Sequence, residues 1–399
     1  MIQAQAEMYM FKFVLRNRTE RIHCLQPVFS CITLIEDPLD PWSNDMANPS
    51  FKVDWYRVPI EKSILKQLNR KSDIKGFMQA GGYLAIVTAT AVLCLYVWTH
   101  LPWPWLIPAL YLHGTVSAFM INGVHELIHG TVFKTRWLND RFAQILAFLG
   151  WINHYGFKAS HMEHHKFTLH HPHDREVVLP IRFTLKGILN GALANPISLF
   201  HVFKGTARVA CGGYDNDWTR QVVTQNKRER IYHNWARFLM LGHVSMAVVS
   251  IIYGYWIIPV LISATPTYGR LLFRLCNETQ HVGLQERVTD FRLNCRTIYL
   301  NPVVQFLYWH MNYHIEHHMY ASVPCYNLGK LHRRIQSQLP EIPNGLADTW
   351  FQIIGILWRQ SKEPDYQYVP ELPNESCTQS LADITMQKHD ASVHLEKAV

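Results

Sequence analysis

The chemistry of this 399-residue sequence is concentrated in its histidines, of which there are 23. Nine fall between positions 125 and 173, and five more between 281 and 318. Three clusters have ligand spacing. His125-Glu126-Leu127-Ile128-His129 is H-x3-H, His161-Met162-Glu163-His164-His165 is H-x2-H-H, and His314-Ile315-Glu316-His317-His318 repeats the second pattern. Residues at i, i+3 and i+4 share a helix face, so each cluster can aim two or three imidazoles at one point. Imidazole suits zinc, copper, iron and nickel. One tetrahedral zinc takes about four ligands. Eight clustered histidines exceed that, so two metal ions account for them better than one. No cluster carries the Cys or Met that copper(I) favours. The first cluster matches the zincin pattern H-E-x-x-H letter for letter, but a zincin leaves the other two clusters unexplained.

These clusters need elements that bring them together. No Asp, Glu, Lys or Arg occurs in the 50 residues from Gly76 to His125, nor in the 32 from Phe238 to Gly269. A membrane crossing takes about 20 apolar helical residues. The first run therefore predicts spans at 77–98 and 104–124, turning through Thr99 to Trp105, where Pro102 and Pro104 break the helix and Trp suits the interface. The second predicts spans at 237–253 and 256–275. Its turn is Tyr253-Gly254-Tyr255-Trp256, and its flanking arginines (Arg237, and Arg270 or Arg274) snorkel. The expected fold is all-α: four transmembrane helices in two hairpins under a cytosolic helical cap that carries the metal site. Both turns lack Lys and Arg, whereas the stretch 126–237 carries fifteen. The positive-inside rule then puts that stretch, the N-terminus and the C-terminal part in the cytosol. All three clusters fall on that side.

Other segments read less sharply. Ile60 to Asn69 has helical spacing and is expected at the interface or in the cytosol. Ala143 to Ile152 is too short to span and is expected to be re-entrant. Ile181 to Phe203 is expected to lie in the interface plane. Residues 1–50 form a variable lead-in without signal-peptide order, residues 51–361 the membrane domain, and residues 362–399 a polar tail expected to be disordered.

Composition excludes several classes. Hydrophobic content of 48% and a mean hydropathy of −0.06 resemble a soluble protein, but the average hides the uncharged runs. Eight cysteines form no CxxC pair, which argues against a zinc ribbon, a Cys-ligated iron–sulfur cluster and a thioredoxin motif. The net charge of +8 comes without a Lys/Arg stripe interleaved with aromatics, so nucleic acid is not an expected partner. Positive charge flanking membrane spans explains it.

With three histidine boxes set between paired apolar spans, about residues 50–350 resemble the membrane fatty-acid desaturase and hydroxylase superfamily. The resemblance implies two non-haem iron ions, O2 as oxidant, a lipid substrate and a cytosolic electron donor such as cytochrome b5 or a ferredoxin. It also implies a multi-pass membrane protein with its active site on the cytosolic side, in the endoplasmic reticulum membrane if eukaryotic. Asn277-x3-His281 is similar to the N-x3-H of stearoyl-CoA desaturases, where the His binds iron and the Asn acts through water. The implied ligand set is His125, His129, His161, His164, His165, His281, His314, His317 and His318, with Asn277 through water. The haem signature H-P-G-G of fused members is absent, since His171-Pro172-His173-Asp174 does not match it; the donor is then a separate protein.

Ligating imidazoles usually pass their other N–H to a carboxylate or carbonyl. Glu126, Glu163 and Glu316 are the candidates for that role, with Asp174 and Asp290 behind them. His310 and His170, His171 and His173 are expected near the site without ligating, His154 as a surface or cap residue, and His100, His113, His201, His233 and His243 as structural. The expected reaction is desaturation of a fatty-acyl or related chain. Hydroxylation of an acyl, sphingoid or carotenoid lipid at the same site is the alternative, followed by a membrane zinc hydrolase or a non-enzymatic zinc-binding protein.

Overall fold

The computed structural model describes residues 51–181 and 194–373. Expectations for residues 1–50, for 182–193 within the Ile181 to Phe203 stretch, and for the tail beyond 373 lie outside them. Among the described residues there is no strand, only three isolated bridges. The helices used below are α1 (Lys62–Leu68), α2 (Asp73–His100), α3 (Leu106–Ser117), α4 (Met120–Ile128), α5 (Arg136–Leu149), α6 (His154–Phe167), α7 (Pro196–Ala210), α8 (Asp217–Gln225) and α9 (Glu229–Ile252). They continue as α10 (Ile257–Ile262), α11 (Leu271–Asn277), α12 (Pro302–Leu307), α13 (His314–Met319), α14 (Cys325–Ile335) and α15 (Gly345–Gln360).

Three helices among the described residues are long and apolar enough to cross a membrane: α2, the run Trp103–Ile128 that joins α3 and α4, and α9. Their outward faces are apolar. Leu241, Val249, Ile251 and Ile252 on α9 are all more than half exposed, as are Met78, Val92 and Tyr96 on α2. A continuous apolar surface of this kind is a poor fit to water. The two turns meet at one end, where Trp98 packs its ring edge-on against Trp256, centroids 5.9 Å apart.

The expected fourth span, 256–275, is not one helix. It runs as α10, a 3₁₀ turn at Thr265–Thr267 and α11. Pro259 and Pro266 remove backbone donors, and Gly269 adopts a left-handed φ of 71°. The carbonyls released by the break are met by side chains. His113 Nε2 bonds Leu261 O at 2.9 Å, and Trp151 Nε1 donates to Ser263 O at 2.8 Å. His243 holds the Ser263 hydroxyl at 2.8 Å. Irregular backbone in apolar surroundings is tolerated where protein satisfies it in this way.

Most of Ala143 to Ile152 is the second half of α5, whose Leu146 and Ala147 are fully buried against the core. One other expectation changes. Residues 362–373 are not a loose tail, because Tyr368 N donates to Gly283 O at 2.8 Å and Gln367 Oε1 accepts from Glu286 N. These contacts run through a backbone N–H and a glutamine amide, which leave no periodic signal in sequence. Ile60 to Asn69 does contain a helix, α1.

The core sits where α2, α4, α5 and the chain before α13 meet. Trp309 and Tyr83 are fully buried and pack edge to face. Gly123 lets α4 close on them, since a Cβ there would lie 2.5 Å from Leu146 and 2.6 Å from Trp309. This contact fixes α4 two residues before His125. The loop after α4 is tied to the start of α2 through Thr135, whose N–H and hydroxyl both donate to Asp73.

Candidate metal centre

The histidine boxes meet at the end of the helices opposite the Trp98–Trp256 contact, in two sets. The first is His125 and His129 from the end of α4, His161 and His165 from α6, and His317 from α13. The second is His281 with His314 and His318 from α13, joined by Cys295. Within each set the candidate ligand atoms lie within 4.8 Å of one another. His164 lies beside the second set, its ring 5.3 Å from that of His281 and 5.0 Å from that of His318. Each H-x2-H-H box is thus divided between the sets. His165 and His318 stack at 4.4 Å where the sets adjoin.

The helix geometry explains the division. His161 and His165 are one turn apart and share a face, while His164 is rotated toward the second set. In α13 the same relation puts His314 and His318 on one side and His317 on the other.

The outward nitrogens are anchored. His161 Nδ1 meets Glu176 at 2.7 Å, His164 Nδ1 meets Asp174 at 2.8 Å, and His125 Nδ1 meets Glu126 at 3.1 Å. His281 Nδ1 donates to Asn294 O at 2.7 Å. His318 Nδ1 donates to the Thr168 hydroxyl at 3.2 Å, which is itself donating to His164 O. The Nε2 atoms of His281 and His318 are therefore unprotonated. They nevertheless approach the same atom, His314 Nε2, at 3.0 and 3.1 Å. One proton on that atom can serve only one neighbour, whereas a cation serves all three lone pairs. His129 Nε2 and His161 Nε2, buried in the first set, have no hydrogen-bond partner. The donor set fits a metal that accepts imidazole, and it is nearly all nitrogen.

Burial sets the protonation state. It pushes His129, His161, His165, His314, His317 and His318 well below the ordinary histidine range, and their mutual repulsion adds to it. His281 falls to about 3 for the same first reason. Neutral imidazoles are the form that binds metal. His164 is the exception: burial opposes its charge, but the attraction of Asp174 outweighs this and raises it. Burial likewise pushes the Glu176 carboxyl up to about 7.

The carboxylates singled out in sequence have different fates. Glu126 and Asp174 touch box histidines. Glu163 instead pairs with Lys166 at 2.6 Å on the outer face of α6, because two residues past His161 a helix has turned about 200° away. Glu316 is fully buried but holds His332 Nδ1 and the Thr297 hydroxyl. Asp290 caps a short helix and binds Arg292. Glu176 and Cys295 were not foreseen. Neither has spacing to a box that marks it, and only the fold brings them in. His310 bonds Gln305 and stands outside both sets.

A cavity of about 180 Å³ opens on this centre. His125, His161, His164, His281 and His314 line one side, and Asn277 lies among its walls. Ile121, Phe157, Phe273 and Met311 supply apolar surface, and Thr265 and Pro266 from the broken segment close it.

The family model for fatty acid desaturases matches residues 102–350, a stretch that contains every histidine of both sets. A comparison with curated proteins gives no match.

Proposed function

The chain belongs to the fatty acid desaturase family, and from that premise we propose that it is an O2-dependent membrane lipid desaturase. In this reading it holds two non-haem iron ions and takes electrons from a separate carrier such as cytochrome b5 or a ferredoxin. Family membership makes it an oxidoreductase acting on lipid chains. When bound, the iron pair would activate O2, the oxidant, with two electrons from the carrier, for attack on an unactivated C–H bond.

The protein's own residues do the rest. His125, His129, His161, His165 and His317 hold one ion. His164, His281, His314 and His318 hold the other, with Asn277 reaching it through water. Glu176, Asp174 and the Asn294 carbonyl keep the outward Nδ1 protons in place, so the Nε2 lone pairs stay aimed inward. Ile121, Phe157, Phe273 and Met311 orient an apolar chain beside the histidines and exclude water from the reaction. The broken segment 256–275 completes four crossings, with the histidines under a cytosolic cap as the positive-inside pattern suggests.

One observation carries this reading: buried ring nitrogens of the second box, the third box and His281 converge within hydrogen-bond distance, and His125 and His129 of the first box join His161, His165 and His317 within 4.8 Å, beside a cavity with apolar walls. The test is product analysis. Purified protein loaded with iron is given O2, a reduced carrier and membrane lipid. A product that has lost two hydrogens supports desaturation. One that has gained an oxygen assigns hydroxylation at the same site. A protein that carries zinc and consumes no O2 overturns the proposal.

A further inference from the structure

A second concavity lies away from the histidines, between α1 and α14. It is a groove of about 560 Å³. Five of its nine lining residues are cations: Arg70, Lys75, Lys330, Arg333 and Arg334. None of the nine is acidic, and none of the five cations is ion-paired among the described residues. It shares no residue with the cavity at the histidines.

Three of these cations sit at i, i+3 and i+4 on α14, all exposed. Like charges at this spacing repel and weaken a helix. The helix C-terminus offsets part of that repulsion for Arg333 and Arg334, and an anion facing the three offsets the rest. Guanidinium groups meet phosphate oxygens with two parallel hydrogen bonds, which favours phosphate as that anion.

The position of the groove selects the source of the phosphate. Lys75 lies in the first turn of α2, a membrane-spanning candidate. Around it Ile74, Phe77 and Met78 are 75%, 50% and 69% exposed. Apolar side chains turned outward beside a cationic groove mark the boundary between bilayer and water. From that boundary the groove runs along α1 and α14, with Ile64 and Leu68 contributing apolar lining. A concave, cationic, partly apolar site at this level fits a lipid headgroup with its glycerol stem. A protein partner needs a broad interface of about 800 Å² on each side.

We infer that this groove binds the phosphate headgroup of an anionic membrane lipid. The inference needs only that α2 lies in a bilayer; neither iron nor turnover enters it. Its failure is therefore distinct from failure of the desaturase reading.

The test uses the full chain in detergent micelles, titrated calorimetrically with dioctanoyl phosphatidylglycerol. Parallel titrations use dioctanoyl phosphatidylcholine and inorganic phosphate. Saturable binding of phosphatidylglycerol is expected, with weaker binding of the other two. Each cation removed lowers affinity about five-fold, so K330Q/R333Q/R334Q loses on the order of 100-fold and R334Q alone about five-fold. Arg220→Gln, an exposed change elsewhere, leaves affinity unaltered. The single variant decides the matter if the triple variant does not fold. Phosphatidylglycerol binding unchanged in R334Q and the triple variant overturns the inference. So does inorganic phosphate binding as tightly as the lipid, which makes the groove a site for free anions. So does an acidic carrier protein that loses affinity in the variants while lipid binding stays intact.

Discussion

His165 and His317 approach Nε2 to Nε2 at 3.1 Å although 152 residues separate them in the chain. No direct hydrogen bond explains the meeting of so many buried imidazoles, since neutral rings offer one donor each. Both helices are held from behind, α6 by Glu176 and Asp174, and α13 by its own Glu316, which accepts from His332 and the Thr297 hydroxyl.

The carboxylates behind the ligands give the first prediction. Glu176→Gln and Asp174→Asn should each lower metal affinity by about 10–100-fold, because they release the Nδ1 protons that fix ring orientation. Glu163→Gln should leave affinity unchanged, since Glu163 pairs with Lys166 instead. Metal titration of the three variants checks this; equal effects in all three would contradict it.

The pair Asp174–His164 predicts a pH dependence in metal-free protein. The Asp174 carboxyl is held below its ordinary 3.8: burial opposes this, but His164 and two backbone N–H groups outweigh it. Its contribution is present above pH 3.8 and is lost as pH falls through the depressed value. His164 is raised above 6.5, so its contribution is full below that pH and fades as pH rises through the raised value. The gap in unfolding temperature between wild type and Asp174→Asn should thus be widest between those two values. It should narrow toward alkaline pH. A gap that goes on growing above pH 6.5 would refute the pairing.

Gly123→Ala should destabilise the fold by about 1–3 kcal/mol, the usual effect of overpacking. The added Cβ meets Leu146 and Trp309 at 2.5 and 2.6 Å, and both belong to the closed core. Because His125 lies two residues on, metal content should fall as well. Thermal unfolding and metal analysis on the same preparation test both parts.

The broken segment makes a separate prediction. His113→Phe removes the partner of both Leu261 O and the Thr90 hydroxyl. The expected loss is about 1–2 kcal/mol, the range of polar contacts between membrane helices. Metal binding should persist, as the His113 ring bonds Thr90 and Leu261 O and touches neither set. Loss of metal with unchanged stability would contradict this assignment.

Much of this was legible in the sequence because it depends on local spacing. The i, i+3, i+4 pattern of each box and the uncharged runs at 76–125 and 238–269 are properties of short windows. Three long apolar helices follow from them. What spacing does not carry is which face of a box meets which neighbour. The division of His161 and His165 from His164 depends on the direction from which α13 arrives. Glu176 and Cys295 reach the site through loops without periodicity. The segment 256–275 looked like a helix because Pro259, Pro266 and Gly269 weigh little in an apolar average. Its broken backbone survives only through His113, Trp151 and His243, which reach it from distant helices.

The central claim is that the two histidine sets each hold a metal ion, and metal content tests it most directly. Detergent-purified wild type is compared with His161→Ala and His317→Ala from the first set and His318→Ala from the second. The account predicts iron near two per chain, as expected when the imidazoles outnumber the about four ligands of one tetrahedral site. It also predicts that iron falls in all three variants. Zinc near one per chain, unchanged by any of the substitutions, would show that the boxes do not act as a joint metal centre.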